Sequence, residues 1–193
     1  MLTELSRPFS YLSIRHPAEG VRWVNWWLPL LASIALVALC GSMERRVDLF
    51  GASGVINKVL GFIQSLPGFY LAALAAVATF NNPDMDRLMP GTPPTARILY
   101  NGKLITVELT RRRMLCIMFA YLTVLSFVLT MSSIAAMTFA EDIKAAIQEN
   151  SPLLIRWIKA AFTSIYFGAL FQMLTITMWG LFYLGERMHT PDR

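Results

Sequence analysis

Four stretches of this chain run for twenty residues or more without a charged side chain: Trp23 to Met43, Val59 to Phe80, Met114 to Ala140, and Ala160 to Gly185. A helix rises about 1.5 Å per residue, so about 20 apolar residues cross a hydrocarbon core of roughly 30 Å. Transmembrane barrels instead use runs of about ten residues that alternate polar and apolar, and these runs are continuously apolar. The sequence therefore predicts an all-α integral membrane protein, a single membrane domain over 1–193 with four transmembrane helices at about 23–43, 59–80, 114–140 and 160–185. Composition agrees, with 55% apolar and only 15% charged residues. Three arginines, Pro8 and Pro17 precede the first full-length run, which reads as a retained span and not a cleaved signal.

Lysine and arginine resist translocation, so their distribution sets orientation. Eleven fall in the N-terminal segment (Arg7, Arg15, Arg22), the second connection (Arg87, Arg97, Lys103, Arg111, Arg112, Arg113) and the tail (Arg187, Arg193). Six fall on the other side: Arg45, Arg46, Lys58, Lys144, Arg156 and Lys159. The bias predicts a multi-pass protein of the cytoplasmic membrane with both termini and the central loop inside. That topology sets Cys40 and Cys116 near opposite faces of the bilayer, too far apart for a disulfide. At the same boundary, Trp23, Trp26 and Trp27 suit the headgroup level, and Arg111, Arg112 and Arg113 at the inner end of the third span suit an anionic leaflet, so all six are expected to anchor the protein to lipid.

The cytoplasmic loop 81–113 is the largest extramembrane segment. It opens on Pro83, Pro90, Pro93 and Pro94, and then changes character. Two strand-like runs, 96–100 and 103–109, flank Asn101-Gly102, the dipeptide best suited to a two-residue type I′ turn because both positions need positive φ. The predicted β-hairpin, 96–109, pairs Tyr100 with Lys103 and Ile98 with Ile105, gathering Ala96, Ile98, Tyr100, Ile105 and Val107 on one face. An isolated hairpin is marginal in water, so that face should be covered. Candidate covers are the N-terminal segment, a second copy, or a cytoplasmic protein or ribonucleoprotein docking at Ile98, Tyr100, Ile105 and Val107. Connection 44–58 is short and glycine-rich, and connection 141–159 reads as a helical turn broken at Ser151-Pro152.

Catalysis needs several reactive groups held together, and the inventory is thin. The two histidines, His16 and His189, lie in terminal segments without cysteine or acid at metal-ligand spacing, so no metal site, cofactor or catalytic residue is assigned. Gly51-Ala52-Ser53-Gly54 lacks the Lys-Ser/Thr of a phosphate loop. Direct nucleic-acid binding is not expected either, because no stacking aromatics accompany Arg97, Lys103 and the arginine triplet. None of the four spans holds an ionisable group of the kind that proton relays and ion-coupled carriers use.

What the spans do hold is stripes of small and polar residues. Thr123, Ser126, Thr130 and Ser133 share one face of the third span, and Ser164, Gly168, Gln172 and Thr175 share one face of the fourth. Gly61, Ser65, Gly68, Ala72 and Ala76 do so in the second. Such stripes let helices approach and bond across the contact, or in an oligomer they line a water-filled path. Asn25, Gln64 and Gln172 are the costliest polar groups in the spans, and each should find a partner.

The run Phe9-Ser10-Tyr11-Leu12, then Arg15-His16-Pro17 and the cluster Trp23, Trp26, Trp27 and Pro29, resembles small membrane effectors encoded beside the reverse transcriptases of bacterial anti-phage retrons. The resemblance covers about the first 30 residues, and it implies a protein kept silent by partners and released to damage the inner membrane. It carries over no functional residues. Two expectations follow for a non-enzymatic chain: an oligomerising effector that disrupts membrane integrity, or an anchor that recruits a cytoplasmic partner through the central loop.

Overall fold

The computed structural model describes residues 7–14, 19–42, 48–51, 53–79, 81–89, 93–100, 103–148 and 152–185. A 3-10 turn, Arg7–Ser13, is followed by helix α1, Glu19–Ser42. Next come α2, Val55–Ile63, and α3, Leu66–Thr79, then a 3-10 turn at Pro83–Asp86. Strands β1, Thr95–Tyr100, and β2, Lys103–Glu108, form a two-stranded antiparallel sheet. Two long helices, α4, Arg111–Gln148, and α5, Pro152–Gly185, complete the chain. The fold is mostly helical, as the apolar runs require.

Three helical stretches are long and apolar enough to cross a membrane: Val55–Thr79, Arg111–Ala140 and Trp157–Gly185. Among the described residues of α1 the apolar stretch is Asn25–Leu39, so the expected first span is not established by that standard. The second span is not one helix. Pro67 has no N–H to offer the carbonyl of Ile63, and the helix breaks at Gln64-Ser65 before resuming as α3. Connection 141–159 is also mostly helical: α4 continues to Gln148 and α5 starts at Pro152, a residue whose fixed φ suits a first helical position. Only 149–151 separates the two.

The chain divides into two compact units, and both long helices contribute to each. The first unit comprises 1–23, 67–124 and 176–193, and the second comprises 24–66 and 125–175. In the first unit the core is built on the start of α4, where Met114, Leu115, Met118 and Leu122 are fully buried together with Met85 and Leu109. In the second it is built from Ile56, Ile63, Ser126, Ser133 and Met173. Burial is uneven among the spans. In the apolar 18-residue window of Arg111–Ala140, 56% is buried, against 17% in that of Val55–Thr79, so α2–α3 presents most of its surface outward.

Hairpin pairing follows the expected register, with Tyr100 opposite Lys103, Ile98 opposite Ile105 and Ala96 opposite Val107. The Asn101-Gly102 turn itself lies outside the described residues, as do His16, His189 and the side chains of Trp23, Cys40, Ile98 and Tyr100.

Candidate functional site

Within the first unit the loop between α3 and α4 is folded onto the start of α4. The Asn82 side chain accepts a hydrogen bond from the Asp84 amide at 2.9 Å and so starts the 3-10 turn, whose Met85 is buried. The Arg111 amide donates to the Arg87 carbonyl (3.1 Å), the Leu109 amide donates to the Pro94 carbonyl (3.0 Å), and Leu88 bridges to Thr110. These bonds hold both ends of the segment against α4, and the hairpin is carried between them.

Arg112 ties the loop and the end of α3 to the start of α4. Its guanidinium is bidentate on Asp86, Nε to Oδ1 at 2.7 Å and Nη2 to Oδ2 at 3.1 Å. Nη1 also donates to the carbonyls of Val77 (2.9 Å) and Ala78 (3.4 Å) in the last turn of α3, where carbonyls have no intrahelical partner. The same bonds hold the Asp86 carboxyl below its usual range. The arginine triplet is thus divided by structure. Arg113 is exposed, Arg112 is half-buried and caps α3, and Arg111 is buried at 4% exposure. Trp26 and Trp27 are both 52% exposed.

The N-terminal segment supplies part of the hairpin's cover. Its 3-10 turn packs on β1, and its rings seat on α4: Tyr11 stacks on Tyr121 with centroids 5.2 Å apart, while Phe9 meets the same ring edge-on at 6.2 Å. Tyr11, Ile14 and Tyr121 are all buried. At the open end of the hairpin Ala96 is buried and Val107 half-buried, and Ile105 is 38% exposed. Of the two candidate docking residues whose side chains are described, Val107 is partly covered and Ile105 is outward.

The polar stripes of the spans are satisfied locally. Thr123 donates to the Phe119 carbonyl, Thr130 to Ser126, Ser133 to Leu129 and Thr175 to Phe171, all at 2.8 Å and one turn back along their own helices. Ser126 and Ser133 have no exposure at all, and Thr123 has 6%. In the second unit Ser133 also bonds the Tyr166 hydroxyl at 2.7 Å. Gln172 performs a different task. Pro29 cannot donate to the carbonyl of Asn25, and the Gln172 amide reaches that carbonyl at 3.5 Å. Beside it, Ser33 is fully buried with Gly168 against it, 3.6 Å from where a Cβ would stand.

Several contacts join residues whose pairing no local pattern announced: Tyr70 with Thr177 (2.7 Å), Ser133 with Tyr166, and Arg112 with Asp86. Each partner is a polar residue in an apolar run or at its edge, which is the one signal that marked them. The glycine-rich loop also has a structural task. The Gly51 amide bonds the Asp48 carboxylate at 2.8 Å, and those of Gly54, Val55 and Ile56 bond the chain's own carbonyls. A Cβ on Gly54 would come within 2.8 Å of two backbone oxygens, so glycine is required there by close approach. The chain matches no family model, no curated protein and no solved structure.

Proposed function

We propose that the chain is a non-catalytic, multi-pass protein of the bacterial inner membrane, with four spans and both termini cytoplasmic, that binds a cytoplasmic protein or ribonucleoprotein on its hairpin-bearing unit. The first of these spans is α1, which at 24 residues is long enough for the hydrocarbon. What supports docking is the construction of the first unit: proline-punctuated loop, hairpin, N-terminal turn and Arg112 cap are tied to one helix, and Ile105 is left outward beyond the cover. An extramembrane unit tied to one helix, with an exposed isoleucine on its hairpin, offers a recruiting surface an apolar contact.

Two roles in the bilayer fit such a platform. The first is an anchor. It is favoured because the hydroxyls of Thr123, Thr130, Ser133 and Thr175 bond inside the chain, which is what packing requires and a water-filled path does not. The second is an anti-phage defence effector that oligomerises and disrupts the membrane once its partner releases it. It is favoured by the absence of charges from the four apolar runs and by the resemblance carried on residues 9–29.

The double substitution of Ile98 and Ile105 by Asp tests docking. It leaves the spans untouched and places desolvated charges at the interface, at a cost of about several kcal/mol, so co-purification of the partner from membranes should be lost. Unchanged co-purification would remove the hairpin as the docking surface. Expression without the partner separates the two roles: an anchor is tolerated, whereas an effector collapses the membrane potential and arrests growth.

A further inference from the structure

Of the three costly polar residues in the spans, Asn25 and Gln172 are brought together, but Gln64 faces outward. It sits at the break between α2 and α3, with Ile56 and Ile63 buried on the inner side of α2 and Gly61, Phe62, Gln64 and Ser65 exposed. Its backbone amide bonds Leu60, and the neighbouring Ser65 hydroxyl donates to the Phe62 carbonyl at 3.1 Å. Among the described residues none hydrogen-bonds the Gln64 side-chain amide.

Depth makes this costly. The span Val55–Thr79 has 25 residues and is centred on Pro67. Along α2, Gln64 lies six residues, about 9 Å, beyond Lys58, the last charged residue before the apolar run 59–80 and one whose stem can extend to water. A glutamine at that depth cannot, and a bare amide in hydrocarbon is strongly disfavoured.

The chemistry selects the occupant. A primary amide carries two donors and an acceptor, so two glutamines related by a two-fold axis satisfy each other reciprocally. Copies inserted in one orientation have such an axis along the membrane normal. Gly61, one turn before Gln64, leaves open space, with nothing within 4 Å of where its Cβ would stand, so a second backbone can approach there. We propose that a second copy of the chain docks in parallel on this face, with the two Gln64 amides bonded to each other inside the hydrocarbon and the Gly61 backbones in close approach. This rests on the membrane-spanning reading and gives the expected oligomer a defined interface, independent of the hairpin.

The test uses the full chain, with Cys40 and Cys116 replaced by Ala, in vesicles of phosphatidylethanolamine and phosphatidylglycerol. Copies carrying Ser65→Cys should form a disulfide-linked dimer on mild oxidation, and copies carrying Phe127→Cys, exposed on α4, should not. Photobleaching of singly labelled chains should show two steps. Gln64→Leu should weaken dimerisation about eightfold, as expected for two amide bonds of average intramembrane strength, while Gln64→Asn should retain most of it. Four results overturn the proposal: inserted chains that remain monomeric, cross-linking at Ser65→Cys that Gln64→Leu leaves unchanged, preferential linking through Phe127→Cys, or linkage from native membranes to a different protein. Alkaline extraction and partner co-purification separate the levels. An inserted monomer that still holds its partner overturns this interface alone, whereas a chain that alkali strips from the vesicles overturns the membrane reading and the interface together.

Discussion

Helix α4 and the broken helix α2–α3 are both apolar, both carry small and hydroxyl residues at helical spacing, and they use them oppositely. On α4, Ser126 and Ser133 are fully buried and Thr123 nearly so. On α2–α3, Gly61, Ser65, Gly68, Ala72 and Ala76 are all exposed. A stripe of small residues therefore marks a face that can approach another helix, without saying whether that helix belongs to the same chain. In α4 the approach is made within the chain, and the stripe is consumed by its own fold. In α2–α3 the face is left over, and it includes the polar side chain that lipid tolerates least.

The largest effect that would break this contrast is steric. Ser126→Leu adds side-chain volume at a site with no free surface and should destabilise the protein by roughly 1–3 kcal/mol. Ala75→Leu on the outward face should be close to neutral. Both are read by reversible denaturation of monomeric protein in dilute detergent, and equal losses would show that burial does not separate the two helices.

Next in size is the arginine pair. Arg112→Ala removes the bidentate bond to Asp86 and the cap on α3, and should lower stability by less than Ser126→Leu does, because Asp86 is exposed. Arg113→Ala should cost almost nothing in stability, although the positive-inside rule weights the two cations equally. A smaller change is expected from Tyr166→Phe, about 0.6 kcal/mol, because Ser133 keeps its bond to Leu129 when the hydroxyl is lost.

The smallest effect concerns pH. The Asp86 carboxyl titrates below its ordinary value because Arg112 bonds its charged form. Its contribution is therefore fully present above the unfolded aspartate value of about 3.9 and is lost as pH falls through the lowered folded value. Wild-type stability minus that of Asp86→Asn should be constant from neutrality down to about pH 5. It should then shrink in stronger acid, and a difference that varied between pH 6 and 8 would assign the dependence to another group.

Much of this molecule follows from local pattern. The long runs without charge call for helices, and three helical stretches, Val55–Thr79, Arg111–Ala140 and Trp157–Gly185, are long and apolar enough to cross a membrane. The hairpin follows from Asn101-Gly102 between two β-prone runs, since a two-residue turn fixes which residues face each other, and the register of Tyr100 with Lys103 agrees. The requirement that Asn25, Gln64 and Gln172 find partners was likewise set by composition and position alone. Which partner each finds was not. Three-fold and four-fold spacing places residues on a face but does not fix the azimuth of that face in the bundle, so the same kind of stripe turns inward on α4 and outward on α2–α3. Three adjacent arginines count equally toward topology, yet only tertiary contact buries Arg111, gives Arg112 the open carbonyls of α3, and leaves Arg113 outside. The bond from Gln172 to Asn25 crosses 147 positions of sequence, and it exists because packing brings an amide to the one carbonyl that Pro29 leaves without its helical donor.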